Sequence, residues 1–326
     1  MDIYPIRFKP IIKEKIWGGT KLVQVLNKES ENNNIGESWE ISGIENSVSI
    51  VDNGTYKGES LENLLKNYPK DFIGGFVSER FGNHFPLLFK FIDATDDLSI
   101  QLHPNDKIAH EKHSCKGKTE MWYILDSEAN SKIYAGLKPE VSESEFIESL
   151  EDGSLVDIIR AENIDNGDAF FIDAGTIHAI GKGTLLAEIQ QSSDITYRLH
   201  DWCRKDKKGN SRELHIEASK QAIDFSKNGS TKLIYQSKSN CRSLIKKCEY
   251  FTINDLFLTS NISLDIKFID SFVVYMIVEG EGEILVNGYS ESIRKGDTIL
   301  IPAKAKEVFI KTEFIKILEI YIEDGI

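Results

Sequence analysis

The chain has 326 residues, 40% of them hydrophobic, and a formal charge of −13 from 39 basic and 52 acidic side chains. That acidity argues against a nucleic-acid binder, since a phosphate backbone would be repelled overall, although a local basic pocket can still hold a small phosphorylated ligand. No run of about 18 apolar residues predicts a membrane span, "MDIYPIRFKP" lacks a signal-peptide pattern, and the length predicts two domains.

In chain order, "SLENLLKNYP" (60–69) has Leu61, Leu64 and Leu65 at helical spacing and a stop at Pro69. Short runs rich in β-branched and aromatic residues follow: "PLLFKFI" (86–92), "LSIQL" (98–102), "MWYIL" (121–125) and "SKIYAG" (131–136). "SESEFIESLEDG" (142–153) opens on a capping box, Ser142 to Glu145, and closes on Gly153, so it predicts a helix. Strands resume at "AFFI" (169–172), "TLLAEIQ" (184–190) and "ITYRL" (195–199). "RELHIEASKQAIDF" (212–225) is an amphipathic helix in which His215 reads as an ordinary helix residue.

Residues 226–243 are polar and predict a linker. Beyond it lie "FVVYMIV" (272–278), "GEILVNG" (282–288), "DTILIP" (297–302) and "EFIKILEIYIE" (313–323), with Asn287-Gly288 as a tight-turn signal. The chain is therefore divided near residue 235. The first part, 1–235, is a large β domain with helical insertions, and 236–326 is a small all-β domain. Short strands at regular spacing predict sandwiches or barrels, not βαβ units. Cys115, Cys203, Cys241 and Cys248 form no C-x-x-C pair and read as free thiols in a reducing cytosol, which predicts a cytoplasmic protein.

Several strands carry polar residues on one parity. Ser99, Gln101 and His103 alternate with Ile100 and Leu102; Lys118, Glu120 and Trp122 share a face; so do Glu188 and Gln190, and so do Asp194, Thr196 and Arg198. A further strand turns and returns His178. Inward polar side chains are costly unless they satisfy one another or hold something. Gln101, His103, Glu120 and His178 together offer two imidazoles, a carboxylate and an amide oxygen. That set suits Zn2+ with an open position. It also suits Fe2+ or Mn2+.

"GDAFFIDAGTIH" (167–178) resembles the second signature motif of the cupin barrels, with Asp173 where proline is usual. The whole chain resembles the short bacterial type of mannose-6-phosphate isomerase. The resembling motifs are "EKIWGG" (14–19), "GESWEIS" (36–42), "LSIQLHP", "GKTEMWYIL", "GTIHAIGKG", "EIQQSSDITYRLHDW" and "RELHIE" (212–217). The resemblance implies a mainly-β fold of two cupin (jelly-roll) barrels, with helical insertions in the N-terminal part. It implies Gln101, His103, Glu120 and His178 as ligands of one Zn2+ per chain, with Fe2+, Mn2+ or Co2+ as substitutes. Arg198 matches the active-site arginine, and Lys118, Asp194 and Glu188 match active-site polar positions. Asp173 and His200 depart from the usual pattern. The C-terminal "GDTILIPAKAKE" (296–307) begins like the cupin motif but has Lys304 for glycine and Glu307 for histidine, so that domain is expected to be metal-free.

The implied reaction interconverts mannose 6-phosphate and fructose 6-phosphate through an enediol. Arg198 would face developing charge or phosphate, or else form a wall salt bridge to Glu188 or Asp194. Ser99 is a candidate substrate contact, as are Lys118 and Arg198. Lys182 reads as a loop lysine, and Trp17, Glu37 and Trp39 as core packing or a buried capping pair. The base stays open among Lys118, Asp194, Glu188 and a water activated by the metal. Two other readings stand beside it: a cupin oxygenase using non-haem iron, and a non-catalytic sugar-binding cupin. The expected partner is a small phosphorylated sugar, with no nucleic acid and no membrane, and the chain is expected to be a monomer or homodimer.

Overall fold

A computed structural model describes residues 1–205, 208–227 and 231–323. Strands account for 43% of the described residues and helices for 17%, so the mainly-β expectation holds. Among the described residues no helix is long and apolar enough to cross a membrane.

Two antiparallel sheets carry the site. The first has seven strands, in the order Lys232–Leu233, Ala169–Ile172, Glu120–Ser127, Thr184–Gln191, Leu87–Ala94, Ile35–Ile41 and Ile11–Gly19. The second has five: Ile159–Asn163, Lys132–Leu137, His178–Ile180, Ile100–Leu102 and Tyr197–His200. Their inner faces meet in one apolar cluster, in which Trp122, Phe170 and Leu186 of the first pack with Ile133, Ala135 and Ile180 of the second. Period-two alternation sends the opposite faces elsewhere. Ile100, Leu102 and Leu199 pack outward against Phe146 and Ala222 of the helices Glu143–Asp152 and Ile216–Ala222.

The eight-stranded third sheet is built from Ile6–Arg7 and strands beyond residue 241, centred on Val273–Val286 and Glu307–Tyr321. One of its faces joins the back of the seven-stranded sheet, where Phe251, Phe272, Val274 and Leu318 share a core with Phe89, Phe91, Met121 and Tyr123. The other encloses an aliphatic core of its own around Val273, Tyr275, Ile277 and Ile317. The strand orders are open, and no pairing among the described residues closes any of them.

Most predicted strands and caps are present. Ser142 and Glu145 form the reciprocal capping box, and Gly153 takes the left-handed conformation at φ 82°. Asn287 and Gly288 both have positive φ, as a tight hairpin between Val286 and Tyr289 requires. Five readings need correction. The helix Leu61–Asn67 does end before Pro69, but Pro69 then starts another, Pro69–Ile73, because a proline at the first helical position loses no hydrogen bond. The helix Asp106–His113 was not anticipated, since its one buried side chain, Ala109, leaves no apolar stripe. The helix foreseen over 212–225 shrinks to Ile216–Ala222, with His215 at its cap position. "FVVYMIV" and "GEILVNG" form one continuous strand, with register shifts absorbing the bend. The polar stretch 226–243 is docked where described: Lys232–Leu233 pairs with Ala169–Phe170, and the Tyr235 hydroxyl donates to Gly167 O at 2.8 Å. Residues 228–230 of that stretch lie outside the described residues.

Candidate metal centre

His103 directly follows the Ile100–Leu102 strand, Glu120 begins Glu120–Ser127, and His178 begins His178–Ile180. Three distant segments thus bring one ligand atom each to within 4.8 Å of the others. All three side chains are about 1% exposed. His103 Nε2 lies 3.3 Å from Glu120 Oε1, and His178 Nε2 lies 3.9 Å from Glu120 Oε2.

The imidazoles are oriented from behind. His103 Nδ1 is 2.8 Å from Ile195 O, and His178 Nδ1 is 2.9 Å from Thr176 O. A carbonyl only accepts, so each Nδ1 carries the proton and each Nε2 turns a lone pair inward. Burial, then the nearby Lys118 ammonium, pushes His103 down to about 4. Burial lowers His178 as well. Both rings are therefore neutral, the form that binds metal. Burial would raise the Glu120 carboxyl, but the adjacent Lys118 ammonium outweighs it and keeps it ionised.

Three of the facing atoms are left over. Glu120 Oε1 and Oε2 and His178 Nε2 are buried without a hydrogen-bond partner. Lys118 Nζ lies 2.8 Å from Glu120 Oε1, near enough for an ion pair but without the alignment of a hydrogen bond, and 3.1 Å from His103 Nε2. Orphaned acceptors converging in a buried cluster are what a divalent cation would satisfy, so the residues present fit such an ion.

The cluster borders a cavity of about 210 Å3 between the two facing sheets, and Ser99, Gln101, Lys118, Glu188, Asp194 and Arg198 all line it. Gln101 is the register partner of His178 on one side and of Arg198 on the other, which puts amide, imidazole and guanidinium in one row. Its Oε1 accepts from Ser99 Oγ at 3.0 Å. Arg198 Nη1 donates to Glu213 O at 3.0 Å, and its Nε has no partner. No ion pair joins Arg198 to Glu188 or Asp194 among the described residues, so the wall salt bridge is not what occupies it. Glu188 is taken instead by Lys90 and Trp122. Asp194 is exposed on the cavity wall.

Sequence reasoning missed three cationic residues here. Lys15, Lys90 and Arg212 line the same cavity. Lys90 had a signal, a lone lysine inside the apolar run "LLFKFI", on the parity of the inward residues Leu88 and Ile92. Glu37 and Trp39, read as core, are in the cavity wall too: Trp39 Nε1 donates to Glu37 Oε2 at 2.7 Å, and Lys15 pairs with Glu37 at 3.1 Å. His215 is more than a helix residue, since its Nδ1 accepts the backbone N–H of Arg198 at 3.2 Å. Asp173 is half-exposed and pairs with Lys227 at 3.3 Å, while the Thr176 carbonyl still orients His178. At the corresponding place in the C-terminal sheet, Glu307 is exposed and bonded to Ser263.

Two facing antiparallel sheets with a buried His–Glu–His cluster between them define a mainly-β protein of the cupin type. Residues 6–142 match the model of the type I phosphomannose isomerase catalytic domain, and residues 240–321 that of the mannose-6-phosphate isomerase cupin domain. The chain is 37% identical over 306 residues to mannose-6-phosphate isomerase ManA of Bacillus subtilis (strain 168), covering 93% of this chain and 94% of that one. It is 32% identical to the mannose-6-phosphate isomerase of Streptococcus mutans serotype c, over 93% of both. The crystal structure of the Bacillus subtilis mannose 6-phosphate isomerase superposes with a TM-score of 0.88 at 32% identity, covering 98% of this chain and all of that one. The chain belongs to the mannose-6-phosphate isomerase family.

Proposed function

We propose that the chain is a metal-dependent aldose–ketose isomerase that interconverts mannose 6-phosphate and fructose 6-phosphate. The observation that carries this is the set of buried, inward-facing ligand atoms of Glu120 and His178 that have no hydrogen-bond partner, beside a cavity edged by Lys118 and Arg198. The names of its relatives supply the substrate.

His103, Glu120 and His178 would hold the ion, with Gln101 as the fourth ligand. We take the ion to be Zn2+, one per chain, with Fe2+, Mn2+ or Co2+ as substitutes. When bound, it supplies a Lewis acid that makes the carbon-bound hydrogen beside the sugar carbonyl acidic. The chain's own groups then have three tasks: to steady charge, to move a proton between C2 and C1, and to grip the phosphate. Arg198 offers a permanently charged fork whose Nε is uncommitted. Ser99 and Lys118 offer a hydroxyl and an ammonium to substrate oxygens on the same wall. Lys118, Asp194 and Glu188 are the proton-handling groups. Glu188 is already engaged by two donors, which favours Lys118 and Asp194 for the transfer itself.

We read 1–235 as the catalytic cupin barrel with helical insertions and 236–326 as a metal-free cupin barrel. The separate domain matches at 6–142 and 240–321 support that division. The partner is a small phosphorylated sugar, and the assembly a monomer or homodimer. Four free cysteines favour a cytoplasmic setting. A coupled assay for fructose 6-phosphate formed from mannose 6-phosphate, with and without added zinc, tests the reading. Metal-stimulated turnover is expected; sugar-phosphate binding without turnover would identify a binding protein instead.

A further inference from the structure

One carboxylate ties together both ends of the segment between His103 and Glu120. Asp106 opens the Asp106–His113 helix, three residues after His103. Its Oδ1 accepts the Gly117 N–H at 2.7 Å and the Gln191 side-chain amide at 3.0 Å. Gln191 Oε1 in turn accepts the Thr119 N–H at 2.9 Å. Gly117 is pressed onto the start of the same helix: a Cβ there would lie 2.6 Å from Asp106 N and 2.8 Å from Asn105 C. Lys118 and Glu120 follow within three residues. Asp106 is therefore one of the ties that place Lys118 and Glu120 relative to His103, beside the Lys118 N–H bond to Pro104 O at 3.3 Å and the pairing of Glu120 with Ile172 and Gln190.

The other oxygen of Asp106 is held from across the molecule. Asp106 Oδ2 accepts the Tyr250 hydroxyl at 2.8 Å, over a separation of 144 residues. Tyr250 sits on the turn between the strands Arg242–Lys247 and Thr252–Leu258, and its ring packs against the core shared by the third sheet and the seven-stranded sheet. A carboxylate with three donors has one orientation; one that loses a donor can swing. Groups behind metal ligands set ligand geometry, and their loss costs affinity without touching the ion.

We propose that Tyr250 is a positioning residue through which the C-terminal part of the chain holds the metal-ligand segment in its binding geometry. This rests on the metal-dependent reading above and gives the C-terminal part a role in the site. It predicts a defect in metal affinity, where a merely structural hydroxyl would lower stability alone.

The test is metal binding by the full chain after chelator treatment. Zn2+ affinity is measured by competition with a chromophoric chelator, and ligand geometry by the visible spectrum of the Co2+ form. Tyr250→Phe should bind Zn2+ about tenfold more weakly than wild type and shift the Co2+ bands. Tyr289→Phe, the same deletion elsewhere in the C-terminal part, should change neither. If Tyr250→Phe does not fold, Asp106→Asn carries the same test, because it removes one of the two acceptor oxygens. An affinity within about twofold of wild type and an unshifted spectrum overturn the inference alone. A wild-type chain that takes up no ion overturns it together with the reading beneath it.

Discussion

Lys90 Nζ donates to Glu188 Oε2 at 2.7 Å, with both side chains buried in the cavity wall. The two are register partners on neighbouring strands, and the Trp122 indole donates to the other Glu188 oxygen at 2.9 Å. Burial alone would lower the Lys90 pKa, but Glu188 and then Glu37 outweigh it and hold it well above the ordinary lysine value. The cavity therefore keeps a fixed ammonium, and Glu188 keeps a counter-ion.

Removing one partner of that pair should be severe. Lys90→Met leaves a buried carboxylate uncompensated and should cost about 3–5 kcal/mol in denaturant unfolding. Lys90→Met with Glu188→Leu should regain most of that stability, since a buried pair often yields to apolar residues at little net cost. Isomerase activity should stay low in the double variant. Equal stability losses in the single and double variants would argue against a mutual pair.

Chelation should abolish turnover, and added divalent metal should restore it. The reason is the set of orphaned acceptors on Glu120 and His178. Glu120→Gln, measured by competition with a chromophoric chelator, should bind Zn2+ at least about tenfold more weakly than wild type. Full activity in demetallated protein would defeat the metal reading.

Arg198→Ala should lower kcat/KM on the order of 10² or more, because the guanidinium would steady charge that develops in the reaction. Steady-state kinetics on mannose 6-phosphate gives the value. A change under about threefold would make Arg198 scaffold, its guanidinium held by Glu213 O.

Acid stability should depend on Asp201. It is 7% exposed, and it accepts from Arg204 Nη2 at 2.5 Å and from Arg212 Nε at 2.7 Å. Burial raises its pKa, but Arg212 and then Arg204 outweigh that and hold it below the ordinary carboxylate value. A depressed folded value means the stabilisation is complete above the unfolded value of about 3.9 and is lost as pH falls through the folded one. Thermal melts of wild type and Asp201→Asn should therefore differ most near neutral pH and converge below about pH 4. Parallel melting curves across that range would count against the clamp.

The ligand set was legible because strand parity is a local property. Ser99, Gln101 and His103 alternate with Ile100 and Leu102 whatever the rest of the chain does, and Glu120 leads a strand whose neighbours fix its face. Lys15 and Arg212 were not legible as site residues, and the inward parity of Lys90 did not name its partner. A charged side chain in a strand reads alike whether it meets solvent or a buried carboxylate, and the partners of Lys90 lie 53 residues before it and 98 after. The helix Asp106–His113 escaped notice because its position is held by caps and by Tyr250, not by an apolar stripe.

By itself the sequence determined the mainly-β character, the capped helix at 143–152, the hairpin at Asn287-Gly288 and the identity of the candidate ligands. Those follow from alternation, turn chemistry and side-chain type, which act over a few residues. Only the tertiary structure decided that Glu188 belongs to Lys90, that Arg198 is not in a wall salt bridge, and that Tyr250 reaches Asp106. Each of these depends on which strands become neighbours, and that is settled by burying apolar faces from the whole chain at once.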